Sequence, residues 1–147
     1  MSESFKTGRR VLSSVSGMDS SRHLSIHIDR PVQDVYGYAS NPANAPEWAA
    51  GLAGSIEQID GQWVADSPMG RIVIAFAPSN EYGVMDHEVT MPSGQIVHNP
   101  MRVLSDGNGS EVVFTLRRRP EMTDENFAAD ADAVQADLQT LKRLLEQ

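Results

Sequence analysis

The chain has 147 residues, 40% hydrophobic and 22% charged, the composition of an ordinary globular protein with room for one real core. It has no cysteine, which excludes disulfides, thiolate chemistry and Cys-based zinc sites and fits a reducing compartment such as the cytoplasm. Lys6, Arg9, Arg10 and Arg22 stand against Glu3 and Asp19 in residues 1–22, a net of +2, so the remaining residues carry −10 of the total −8. A body this acidic argues against nucleic acid and anionic membrane as main partners, and no run approaches the roughly eighteen apolar residues of a membrane span.

Residues 1–21 are rich in Ser, Gly and basic residues, show no sustained period and read as a flexible leader. The segment lacks the apolar stretch of a secretory signal. An organellar transit peptide or a cloning-derived tail ending near Met18 are the alternatives. Residues 22–147 then form one domain.

Leu24, Ile26 and Ile28 alternate with His23, Ser25 and His27, which predicts a first strand. Pro31 at or near the first helical position opens a helix whose buried stripe is Val32, Val35, Tyr36 and Ala39. Asn41-Pro42 ends it, and a short second helix or turn contains Pro46, Glu47 and Trp48. Asp60-Gly61 predicts a two-residue hairpin between Ile56–Ile59 and Gln62–Ala65. A fourth strand, about Arg71–Ala77, sets Ile72, Ile74 and Phe76 on one face.

From Tyr82 to Arg118 the facing residues pair almost completely. Met85, His87, Val89 and Met91 share one face, and Val97, Asn99, Met101 and Val103 share the facing one. A Pro92-Ser93-Gly94 loop sets Val89 against Val97, His87 against Asn99 and Met85 against Met101. The Asp106–Gly109 turn sets Met101 against Phe114 and Val103 against Val112. The expected sheet of about seven strands has an apolar face with one polar pair, His87 and Asn99, in its middle.

Thr123 can cap a last helix, with Asp124 and Glu125 in its first turn. Phe127, Ala131, Val134, Leu138, Leu141 and Leu145 make one apolar stripe, roughly 36 Å long at 1.5 Å per residue. A helix of that length can lie along the whole concave sheet, its stripe covering most of the sheet face.

The order strand, two short helices, six strands, long helix, with "PANAPEWAAGL" after the first helix, resembles the SRPBCC or START-like helix-grip superfamily of polyketide cyclase/dehydrase and lipid-transfer proteins. The resemblance covers about residues 22–146 and includes "DGNGSEVVFTLRRRPEMTDENFAADADAVQADLQTLKRLLE". The segment "YGVMDHEVT…IVHNPMRV" resembles a bacterial subgroup of unassigned activity. The resemblance implies an α+β helix-grip fold, a curved antiparallel sheet wrapped on the C-terminal helix with an apolar cavity between them. Its members include hydrophobic-ligand carriers, aromatic cyclases, oxygenase domains and chaperone activators, so the fold leaves function open.

The cavity is expected between the helix stripe and the last strands. Met85, His87, Asn99, Met101, Phe114 and Phe127 should wall it, with Trp48 near the entrance, because one helix carrying small residues such as Ala131 cannot fill a strongly curved sheet. His87 is the candidate acid/base, oriented by Asn99; the blander alternative is a neutral histidine satisfied by Asn99 or backbone. Trp48 either stacks on a flat ligand or packs the core. Glu47 is a candidate general acid or a surface carboxylate. His23 and His27, about 13 Å apart along a strand, cannot share a metal. Neither HExxH, EF-hand, G-x-S-x-G nor a phosphate-binding glycine loop is present, so no metal and no cofactor are expected. Arg117, Arg118 and Arg119 read as a solvated strand end or a rim for an acidic ligand.

Three functions remain: binding of a small hydrophobic ligand (lipid, polyketide or aromatic), a cyclase or dehydratase using His87, and a protein-interaction domain. Oligomeric state is not fixed by any of these features.

Overall fold

The computed structural model describes residues 21–52 and 55–147. The leader expected over residues 1–21 lies outside the described residues, apart from Ser21. Strand β1 (Ser21–Ile28) buries Leu24, Ile26 and Ile28, as its alternation demands. Pro31 is the N-cap of helix α1 (Val32–Ala39), directly before its first helical residue, as expected. Its ψ of 153° is extended, a conformation its ring favours. Val35 and Ala39 are fully buried, with Val32 and Tyr36 packed beside them. Asn41 caps a 3-10 turn (Pro42–Asn44), its side chain accepting from the Ala43 amide at 3.1 Å, and helix α2 (Ala45–Trp48) follows.

Asp60 and Gly61 take φ of 52° and 82°, the left-handed pair of a type I′ turn between β2 (Ile56–Ile59) and β3 (Gln62–Ser67). The remaining elements are β4 (Gly70–Phe76), β5 (His87–Thr90), β6 (Ile96–Asn99), β7 (Met101–Asp106), β8 (Gly109–Arg117) and helix α3 (Asp124–Leu145).

There are eight strands among the described residues rather than about seven, because Pro100 divides the expected second hairpin strand into β6 and β7. Proline has no amide to give a ladder. The strands form two antiparallel ladders, β2-β3-β4-β5-β6 and β1-β8-β7. The ladders join at the break: Thr115 N donates to the Pro100 carbonyl at 2.9 Å, and Met85 N to the Met101 carbonyl at 2.8 Å. The predicted register runs through it. His87 faces Asn99, Val89 faces Val97, and Met101 and Val103 face Phe114 and Val112. Met101 N finds its acceptor in the Asp86 carboxylate at 2.9 Å. Asp86 therefore does structural duty on the face away from His87, held also by Arg102 at 3.3 Å. Burial alone would raise its carboxyl; the Arg102 guanidinium and the Met101 amide outweigh that and hold it below the usual carboxylate range.

Thr123 and Asn126 form a capping box that starts α3. Phe127, Ala131, Leu138 and Leu141 are buried, with Val134 and Leu145 at the stripe's edges. The far end is pinned: Lys142 Nζ donates to the His27 carbonyl, Arg30 to the Leu145 carbonyl (both 2.9 Å), and the Asp29 amide to Glu146 at 2.7 Å. These bonds fix the end of α3 against β1 and the turn that follows it. The helix does not cover the whole sheet, as its length would allow. A second, smaller cluster of Ala65, Ile72 and Ile74, with Leu52, Phe76 and Val89 beside it, is built on β3, β4 and β5. The two apolar clusters meet along a seam at Phe76, which packs against both.

Candidate functional site

A cavity of about 190 Å³ occupies that seam. One wall comes from α3 and α2, with Val134, Asp137, Leu138, Trp48 and Ala49. The opposite wall is sheet, with Ile72, Ile74, Phe76, Val89, His87, Asn99 and Phe114. Of the residues expected to line a cavity, Trp48, His87, Asn99 and Phe114 do so. Met85 and Met101 are fully buried and Phe127 nearly so, all in the larger cluster and off the cavity wall. Phe127 instead lies under the Arg118 guanidinium, 5.6 Å from ring centroid to Cζ. The displacement follows from α3 resting on β1 and β8, which seals the Met85–Met101 region and leaves space further along the sheet.

His87 is the polar centre of the sheet wall. Its ring stacks on Phe76, centroids 4.7 Å apart and planes at 23°, and meets Phe114 edge-on at 6.1 Å. Its Nδ1 lies 3.0 Å from the Met85 carbonyl. A carbonyl only accepts, so Nδ1 carries the proton and Nε2 of the neutral ring is an acceptor. Burial pushes the imidazole below the ordinary histidine range, against the pull of that carbonyl and of Asp86. The backbone, not Asn99, thus satisfies His87. The Asn99 side chain has no hydrogen-bond partner among the described residues.

Trp48 ends α2 and is 6% exposed, and its buried indole N–H has no acceptor among the described residues. The C-terminal end of its short helix is tied twice. Tyr38 donates its hydroxyl to Glu47, and Ala50 N donates to Asp137 Oδ1 at 3.1 Å. Burial, with help from Glu47, pushes the Tyr38 phenol up to about 12. Glu47 therefore latches α2 and is absent from the cavity wall.

Asp137 is the functional candidate that the sequence reading passed over. It stands three residues after Val134 and four before Leu141, inside the apolar stripe, and a carboxylate at that spacing was the available signal. Burial raises its carboxyl above the usual value, opposed by the Ala50 amide. Ile72, Ile74 and Phe76 were legible as one strand face, though not as a cavity wall.

The other candidates lie elsewhere. His23 bonds Thr115 and His27 bonds Asp106, each at 2.9 Å on the outer face. His98 is exposed, 3.7 Å from Glu88. Arg118 and Arg119 pair with Asp124 and Glu121 at 2.6 and 3.0 Å, and the arginine run lines no part of the cavity. Among the described residues no cluster of three metal-binding side chains occurs, and no helix is long and apolar enough to cross a membrane.

No family model and no curated protein matches the chain. Solved structures share its fold. The XoxI protein of Bacillus cereus aligns over 86% of this chain and 95% of its own, with 14% identity and a TM-score of 0.69. The Aha1 dimer structure from Colwellia psychrerythraea aligns over 86% and 96%, with 16% identity and a TM-score of 0.65. DynU16, from the dynemicin biosynthetic locus, aligns over 88% of this chain and 48% of its own, with 13% identity and a TM-score of 0.67. The fold is thus the helix-grip α+β fold, a curved antiparallel sheet gripping a long C-terminal helix.

Proposed function

We propose that residues 22–147 form a single helix-grip domain of the SRPBCC or START-like kind that binds a small hydrophobic ligand between the sheet and the C-terminal helix. The observation that carries this reading is the cavity's composition. Its walls are mostly apolar, yet the buried Trp48 indole N–H on them has no partner among the described residues. Buried polar groups normally find partners, and apolar walls with a few placed polar groups are the usual make-up of a ligand site. The cavity weighs against the interaction-domain reading, which needs an exposed apolar groove instead. A cytoplasmic setting accords with the lack of cysteine.

A cyclase or dehydratase activity is the second reading, and one observation favours it. His87 Nε2 carries a lone pair on a ring held by Met85 and Phe76, as a general base requires. Native mass spectrometry of the protein recovered from its natural host tests the first reading: a retained small molecule is expected, and its loss in a Val89→Trp variant ties it to the cavity. A protein that carries nothing and binds no apolar probe overturns it. If the retained compound is turned over, and His87→Phe abolishes turnover but not binding, the enzyme reading replaces it.

A further inference from the structure

The cavity wall carries two ionisable side chains among the described residues, His87 and Asp137, and neither lysine nor arginine. Asp137 has one bond, from the Ala50 amide, and no ion pair joins it to a cationic side chain among the described residues. Since His87 commits its Nδ1 proton to the Met85 carbonyl, it too offers the cavity an acceptor. A carboxylate ligand would set like charge against Asp137 in a medium of low dielectric. A ligand N–H or O–H would supply the donor that both groups lack, and a ligand hydroxyl oxygen can in turn accept from the Trp48 indole N–H. The net −10 of the chain beyond residue 22 adds a long-range field that draws cations and repels anions. Size narrows the choice further. A dry apolar cavity of about 150 Å³ takes one benzene. This one, partly open and about 190 Å³ in volume, holds a ring with a short substituent within its walls.

Building on the binding reading above, we infer that the cavity favours a single-ring compound whose amine or hydroxyl donates to Asp137 over the corresponding carboxylate.

The test follows the indole N–H signal of Trp48 by NMR during titration of the full chain with phenethylamine, 2-phenylethanol and phenylacetate at neutral pH. Trp63, on the strand β3, serves as the control for non-specific binding to the acidic surface. Phenethylamine and 2-phenylethanol are expected to shift Trp48 and leave Trp63 in place, with phenylacetate at least about tenfold weaker than either. Asp137→Asn keeps an oxygen for the Ala50 amide and so should keep the fold. It should weaken phenethylamine at least about tenfold, bring phenylacetate closer to the others, and change 2-phenylethanol least. Phenylacetate binding as tightly as phenethylamine, or an unchanged ranking in Asp137→Asn, overturns the inference and leaves the binding reading standing. If none of the three moves Trp48, the inference falls, and the binding reading falls with it only if the native protein also carries no small molecule.

Discussion

His87 stacks on Phe76 at 4.7 Å while its Nδ1 holds the Met85 carbonyl at 3.0 Å, so one histidine is both part of an aromatic wall and a fixed polar acceptor. That double role has a cost in acid. The folded chain holds His87 below its ordinary value of 6.5 through burial, so the unfolded chain binds the proton more readily. The stability tied to His87 is present above about pH 6.5 and is lost as pH falls through the lower folded value. The denaturant midpoint of the parent should drop between about pH 7.5 and about pH 5. His87→Phe keeps the stack on Phe76 and should drop less. Equal drops would show that His87 does not titrate in this way.

Asp86 replaces the missing ladder partner at the Pro100 break. Asp86→Ala leaves the Met101 amide without an acceptor and should cost about 1–3 kcal/mol in urea unfolding. Arg102 is half exposed, so Arg102→Ala should cost no more than about 1 kcal/mol. The Asp86 carboxyl is held below its ordinary 3.8, so its contribution is present above that pH and fades as pH falls through the folded value. An Asp86→Ala variant as stable as the parent at neutral pH would contradict this role.

Leu138 is fully buried in the middle of α3 and also lines the cavity. Leu138→Ala should cost about 2–5 kcal/mol, toward the low end because the existing cavity already removes some of its contacts. Leu141, buried away from the cavity, should cost more when cut to Ala. Reversal of that order in equilibrium unfolding would argue against the placement of the seam.

Val89 faces the cavity from β5 and is only partly buried, which leaves room for a larger side chain without strain in the core. Val89→Trp should fill the space, abolish the 2-phenylethanol shift at Trp48 and leave the unfolding midpoint within about 1 kcal/mol of the parent. Met101 is fully buried, so Met101→Trp should instead overpack the core and destabilise by about 1–3 kcal/mol. Circular dichroism melts of the two variants separate these outcomes.

The sequence alone determined most of the fold, because strand register and helix stripes are local periodicities. Alternation with period two and the lengths of two turns placed His87 opposite Asn99 and Met101 opposite Phe114, and both pairings stand in the structure. The Thr123 cap and the Phe127–Leu145 stripe were equally legible, since caps and stripes depend on neighbours a few residues apart. Only the tertiary structure decided where the cavity lies. The stripe specifies that α3 buries one face but not which strands receive it. That choice rests on contacts more than a hundred residues apart in sequence, Lys142 with His27 and Arg30 with Leu145. They draw the helix toward β1, seal Met85, Met101 and Phe127 into the core, and open the seam at Phe76, Val89 and Asp137. A bend at Pro100 and a carboxylate within an apolar stripe were both visible in the sequence. Their meaning depended on what packed against them, and chain order does not encode that locally.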